Sequence, residues 1–76
     1  MEIKEYFILC EEQMPQRCTE LRRTSFALRR NGVDTMEELC RLWHDDANQL
    51  AQLRDIGAKS FALIGEICEG YWLENR

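Results

Sequence analysis

Leu53-Arg54-Asp55-Ile56-Gly57-Ala58-Lys59-Ser60 decides the fold of this chain, because it joins two stretches of helical period. Ala47, Leu50 and Leu53 precede the turn, while Phe61, Ile64, Gly65 and Cys68 follow it at i, i+3, i+4 and i+7, the spacing of one buried helical stripe. Gly57 lets the backbone turn sharply and expose the amides that start the next helix, so the segment predicts a helix-hairpin-helix element. Those amides, with the partial positive charge of a helix start, suit an anion, and Lys59 and Ser60 in the first turn add a charge and a hydroxyl. Gly-x-Lys-Ser also ends the phosphate loop of nucleoside-triphosphate enzymes, but the earlier glycine of that loop is missing and no strand precedes it. A plain tight turn between helices is the reading that remains beside the anion site.

Upstream, Thr35-Met36-Glu37-Glu38 forms a capping box ahead of Met36, Leu39, Cys40 and Trp43, again at helical spacing. Asp45 or Asp46 caps a third, short helix that runs into the hairpin. Leu21 to Arg30 reads as the first helix, with Asn31-Gly32 supplying its left-handed end. Gly70 is placed to close the last helix before the tail Tyr71-Trp72-Leu73. Residues 1–16 hold the apolar cluster Tyr6 to Cys10 and then Pro15, and they read as an accessory segment ahead of a domain over 17–76. No stretch alternates as a strand and none repeats, so the expected fold is all-α, a compact domain of four or five helices.

With 76 residues, the chain has room for one domain, and 45% hydrophobic with 32% charged residues is an ordinary globular composition. No apolar run approaches the ~20 residues that span a bilayer, and the start Met1-Glu2-Ile3-Lys4-Glu5 is no secretion signal; a cytoplasmic protein without a membrane partner is expected. Cys10, Cys18, Cys40 and Cys68 show no metal-ligand spacing, and the single His44 falls in none either. Reduced core thiols, no metal and no cofactor are expected. Scattered carboxylates and one histidine offer no catalytic constellation, so the chain does not read as an enzyme, and Asp45-Asp46 beside His44 is more simply a helix cap.

The net charge of −4 is unevenly distributed. Arg17, Arg22, Arg23, Arg29 and Arg30 stand against Glu20 alone between Arg17 and Arg30, so that stretch carries +4 and the rest of the chain −8. On a helical wheel Arg22, Arg23, Phe26, Arg29 and Arg30 share one face, opposite Leu21, Ser25 and Leu28. An aromatic ring among arginines has the composition of a protein-contact hot spot and also of a nucleic-acid stacking platform. Whether Tyr6 to Leu9 fold back over Phe26 stays open.

Three stretches in register, Leu21 to Leu28, Gly32 to Leu39 and Leu53 to Ile64, resemble the C-terminal domain of the bacterial RNA polymerase alpha subunit. That family has an arginine near the start of its first helix, a Thr-x-x-(Asp/Glu)-Leu second helix and a Leu-Gly-x-Lys-Ser hairpin, and the likeness covers roughly residues 19 to 70. The resemblance implies binding to the minor groove of A·T-rich promoter DNA and contact with transcription factors or polymerase. It puts Arg23 on the groove-entering arginine and Gly57, Lys59 and Ser60 on the hairpin that holds the DNA backbone; Arg22 and Arg30 of the basic face complete the DNA-binding set. Such an arginine is drawn by the strong negative potential of a narrow groove, while amides and lysine fix register on phosphates. Phe26 and Asp55 stand where the family usually has asparagines, which implies weaker binding: at ~1 to 2 kcal/mol per lost contact, affinity falls more than tenfold. The alternative is a protein-interaction module that kept the fold without the DNA, using Phe26 and Arg29 on an acidic partner or dimerising through its N-terminal segment.

Overall fold

The structure, a computed structural model, describes residues 1–74, which form four α-helices: α1 (Ile3–Gln13), α2 (Cys18–Arg30), α3 (Met36–Ala51) and α4 (Ala58–Glu74). The chain is all-α, and the last two residues of the expected domain lie outside the described ones.

Local chemistry explains most of the boundaries. Pro15 opens a single 3-10 turn, Pro15–Arg17, after which α2 starts three residues earlier than its clear periodicity. At its far end Gly32 takes φ +83°, the Gly32 amide donates to the Arg29 carbonyl (3.1 Å) and the Val33 amide to the Leu28 carbonyl (3.0 Å). This is a Schellman closure, and the residue after the glycine, Val33, is buried with Leu28 in the core, as the motif favours. Thr35 caps α3, its hydroxyl accepting from the Glu38 amide at 3.2 Å. Asp46 sits in extended backbone (φ −157°, ψ 78°) inside α3, so a break does fall at the Asp45-Asp46 pair, but as a kink within one element.

Two expectations change. Gly70 does not end the last helix: α4 continues to Glu74, because Tyr71 beyond it is buried, edge-on to Tyr6 at 5.0 Å. An interior helical glycine costs about 1 kcal/mol, and burying the tyrosine offsets it. The segment 1–16, set apart in the sequence, holds α1, whose Ile3, Tyr6, Phe7 and Cys10 repeat at i, i+3, i+4 and i+7 and are all buried in the common core. Each such large side chain contributes roughly 1.5–3 kcal/mol. Just ahead of α1, the Ile3 amide donates to the Asp34 carbonyl (2.9 Å) and the Met36 amide to the Met1 carbonyl (2.8 Å), so the chain start pairs with the lead-in to α3.

α1 packs on α2, α3 on α4, and α2 also touches α4, in a body 28 × 28 × 18 Å across. Among the described residues no helix is long and apolar enough to cross a membrane. The four cysteines are free; Cys10, Cys40 and Cys68 are buried, and burial pushes all three thiols up, which keeps them protonated.

Candidate nucleic-acid interface

The basic face forms on α2 as its periodicity requires. Leu21, Thr24, Ser25, Ala27 and Leu28 are buried, and Arg22, Arg23, Phe26, Arg29 and Arg30 are exposed. At 100° per residue the exposed face has two edges. Arg22 and Arg29 lie toward Ser25 on the side of α1, Arg23 and Arg30 lie toward Ala27 and Thr24 on the side of α4, and Phe26 stands between them.

The first edge is partly spent internally. Arg22 donates through Nε to Glu11 of α1 at 2.8 Å, and this hydrogen bond raises its already high pKa further. Arg17 is held by Glu66 at 2.9 Å and lies 3.7 Å from Glu20. On the second edge, Arg30 lies over the Phe26 ring with its guanidinium carbon 5.7 Å from the centroid. Neither Arg23 nor Arg30 forms an ion pair among the described residues.

Thr24 is fully buried, and its hydroxyl donates to the Ser60 hydroxyl at 3.2 Å. This contact brings the Arg23 edge of α2 beside the first turn of α4, where Gly57, Lys59 and Ser60 stand. Of the singled-out residues, Ser60 makes this contact itself, Arg23 and Lys59 are the chain neighbours of the bonded pair, and Gly57 precedes the turn. Ser60 is half-buried, so its hydroxyl is first a link between the helices.

The turn between α3 and α4 differs from its expected construction. The left-handed residue is Asp55, at φ 69°, and Gly57 has no positive φ. Aspartate is one of the few residues that visit this region, since its short polar side chain can bond locally. Gly57 precedes α4 and its carbonyl accepts from the Phe61 amide (2.9 Å), the first bond of that helix. A β-carbon on Gly57 would meet nothing within 4 Å, so the glycine leaves open space rather than relieving a clash. The amides of Ala58, Lys59 and Ser60 follow in the first turn, which has no earlier helical turn to accept them.

Asn31 was legible only as part of a helix end, yet its side-chain amide donates to the Ala27 carbonyl at 2.7 Å and the Arg54 carbonyl at 3.1 Å. It ties the end of α2 to the turn before α4; an asparagine beside a closing glycine is the signal that pointed to it. Phe26 is 56% exposed, so the N-terminal segment does not cover it. A cleft of about 690 Å³ opens between α3 and α4, lined by Glu37, Cys40, Arg41, His44, Asp45, Tyr71 and Trp72, with the His44 ring 4.7 Å from that of Trp72. Among the described residues no group of histidines, cysteines and carboxylates is arranged to hold a metal.

No known protein family, no curated protein and no solved structure matches this chain.

Proposed function

We propose that the chain is a DNA-binding, transcription-associated module that contacts A·T-rich DNA without chemistry on the bases. Arg23 enters the minor groove, and Gly57, Lys59 and Ser60 hold the phosphate backbone through the helix start, with Arg30 on the flank. The observation that carries this reading is the Thr24–Ser60 hydroxyl bond. It links two helices at positions 36 residues apart, one beside the arginine-rich edge and one in the Gly-x-Lys-Ser helix start, and so supports reading the two motifs together. The resemblance to the polymerase alpha C-terminal domain supports the same pairing, and polymerase or a transcription factor in the cytoplasm is the protein partner it implies. Arg22 contributes less, because Glu11 holds it. The charge of −8 outside the Arg17–Arg30 stretch turns the basic face toward DNA and repels the other faces. Asp55 puts a like charge in the hairpin and weakens the phosphate contact.

Amide chemical-shift mapping with an A·T-rich duplex tests the surface. Shifts confined to the Arg23 edge of α2 and to residues 54–61 support the proposal; shifts elsewhere, or none, overturn it.

A further inference from the structure

The other edge of α2 borders a groove that the DNA reading does not use. About 360 Å³ in volume, it runs between α1 and α2 and is lined by Lys4, Phe7, Ile8, Glu11, Arg22, Ser25 and Arg29. Its apolar parts include Ile8, 48% exposed, and Phe26, 56% exposed, stands at its rim one helical turn from both Arg22 and Arg29. Three cations face one carboxylate there, in a chain whose net charge is −4. That carboxylate, Glu11, sits largely covered and already bonds Arg22, whose own side chain is 73% exposed.

We infer that this groove docks an acidic protein segment carrying a bulky apolar side chain. The apolar residue covers Ile8 and Phe26, and the segment's carboxylates meet Lys4, Arg22 and Arg29. Glu11 acts as the internal stand-in for one of those carboxylates and competes with the partner for Arg22. Exposed apolar side chains framed by cations favour an acidic protein segment over duplex DNA, which presents its phosphate backbone and keeps its base faces stacked inside, and Ile8 adds an aliphatic patch that base stacking does not need. Peptide docking does not depend on DNA binding by the turn before α4, since Arg23, Gly57, Lys59 and Ser60 do not line the groove.

The probe is a random short-peptide display library selected on the folded chain, with enriched peptides measured by fluorescence anisotropy and mapped by amide shifts. The expected peptides are acidic with one or two large apolar residues, and they map to α1 and α2. Phe26→Ser and Ile8→Ser, both at exposed positions and checked by thermal melting, weaken binding by about tenfold or more; Glu11→Gln strengthens it several-fold, and Arg23→Ala leaves it unchanged. The inference is overturned by neutral or basic consensus peptides, by mapping to another face, by binding indifferent to Phe26→Ser, or by weaker binding in Glu11→Gln. It is overturned equally if sedimentation shows a dimer broken by Phe26→Ser, because the occupant is then a second copy of this chain, or if duplex DNA produces the same shifts in the groove.

Discussion

Thr24 and Ser60 are bonded hydroxyl to hydroxyl at 3.2 Å, and Thr24 is wholly buried while Ser60 reaches the surface. The pair joins the middle of α2 to the first turn of α4, with Arg23 and Lys59 as its chain neighbours. Removing its two members has unequal consequences.

Ser60→Ala strands a buried donor and is expected to destabilise by about 1–3 kcal/mol, whereas Thr24→Val removes that donor with little change of shape and costs about 1 kcal/mol or less. Urea unfolding of both variants checks the order. The reverse order contradicts a bond in which Thr24 is the buried partner.

Gly65 has no room for a side chain. A β-carbon there would stand 2.8 Å from Cη2 and 2.9 Å from Cζ2 of Trp43, whose ring also packs on Phe61 with centroids 5.2 Å apart. Gly65→Ala is therefore expected to destabilise by about 1–3 kcal/mol through overpacking, against the roughly 1 kcal/mol it gains in helix propensity. Combined with Trp43→Phe, it costs less than the two single changes added together. Additive denaturation energies contradict this contact.

The fold was legible where a local rule and the packing agree. Gly32 and Thr35 carry end signals whose backbone bonds are made within a few residues, and the stripes of α3 and α4 repeat cleanly. α1 was not legible in the same way, although Ile3, Tyr6, Phe7 and Cys10 have helical spacing. Ile8 and Leu9, both exposed, blur that stripe into one apolar run, and Glu2 places no side-chain cap at its start. Gly70 misleads because only a partner distant in sequence, Tyr6, shows that Tyr71 must stay helical. In the candidate site, the residue types were visible but their meeting was not, since the Thr24–Ser60 bond spans 36 residues and the Asn31–Arg54 bond 23. Gly57 attracted the turn, yet the left-handed position belongs to Asp55.

That position makes a separate test. At φ 69° a residue without a short polar side chain is strained, so Asp55→Ala is expected to lose about 1 kcal/mol, while Asp55→Gly keeps or raises stability. Asp55→Asn retains the tolerance for this conformation and removes a negative charge from the hairpin, so it should hold DNA several-fold more tightly. A thermal melt and a binding titration on the three variants check both halves.

Glu37 accepts from the terminal ammonium of Met1 at 2.8 Å and from the Tyr71 hydroxyl. The ammonium first, and Tyr71 second, hold its carboxyl down to about 2 from an ordinary 4.5, and the hydrogen bond to Glu37 pushes Tyr71 up to about 12. Because the folded pKa is depressed, the stabilisation is full above about 4.5 and is lost as pH falls toward about 2. With Glu37 59% exposed, solvent screening keeps its size to about 1 kcal/mol. Melting temperatures of wild type and Glu37→Gln are expected to differ near neutral pH and to converge at the acid end; a constant gap contradicts the ionic origin.

DNA binding by Arg23 together with the Gly57–Ser60 turn is checked by titrating an A·T-rich duplex into labelled protein at two salt concentrations, with Arg23→Ala alongside. Saturable binding is expected that weakens as salt rises, by a slope of roughly −0.9 for each phosphate contact on a log–log plot, and that is lost in the variant. Folded protein that fails to bind at low salt, or an Arg23→Ala variant that binds as well as wild type, contradicts it.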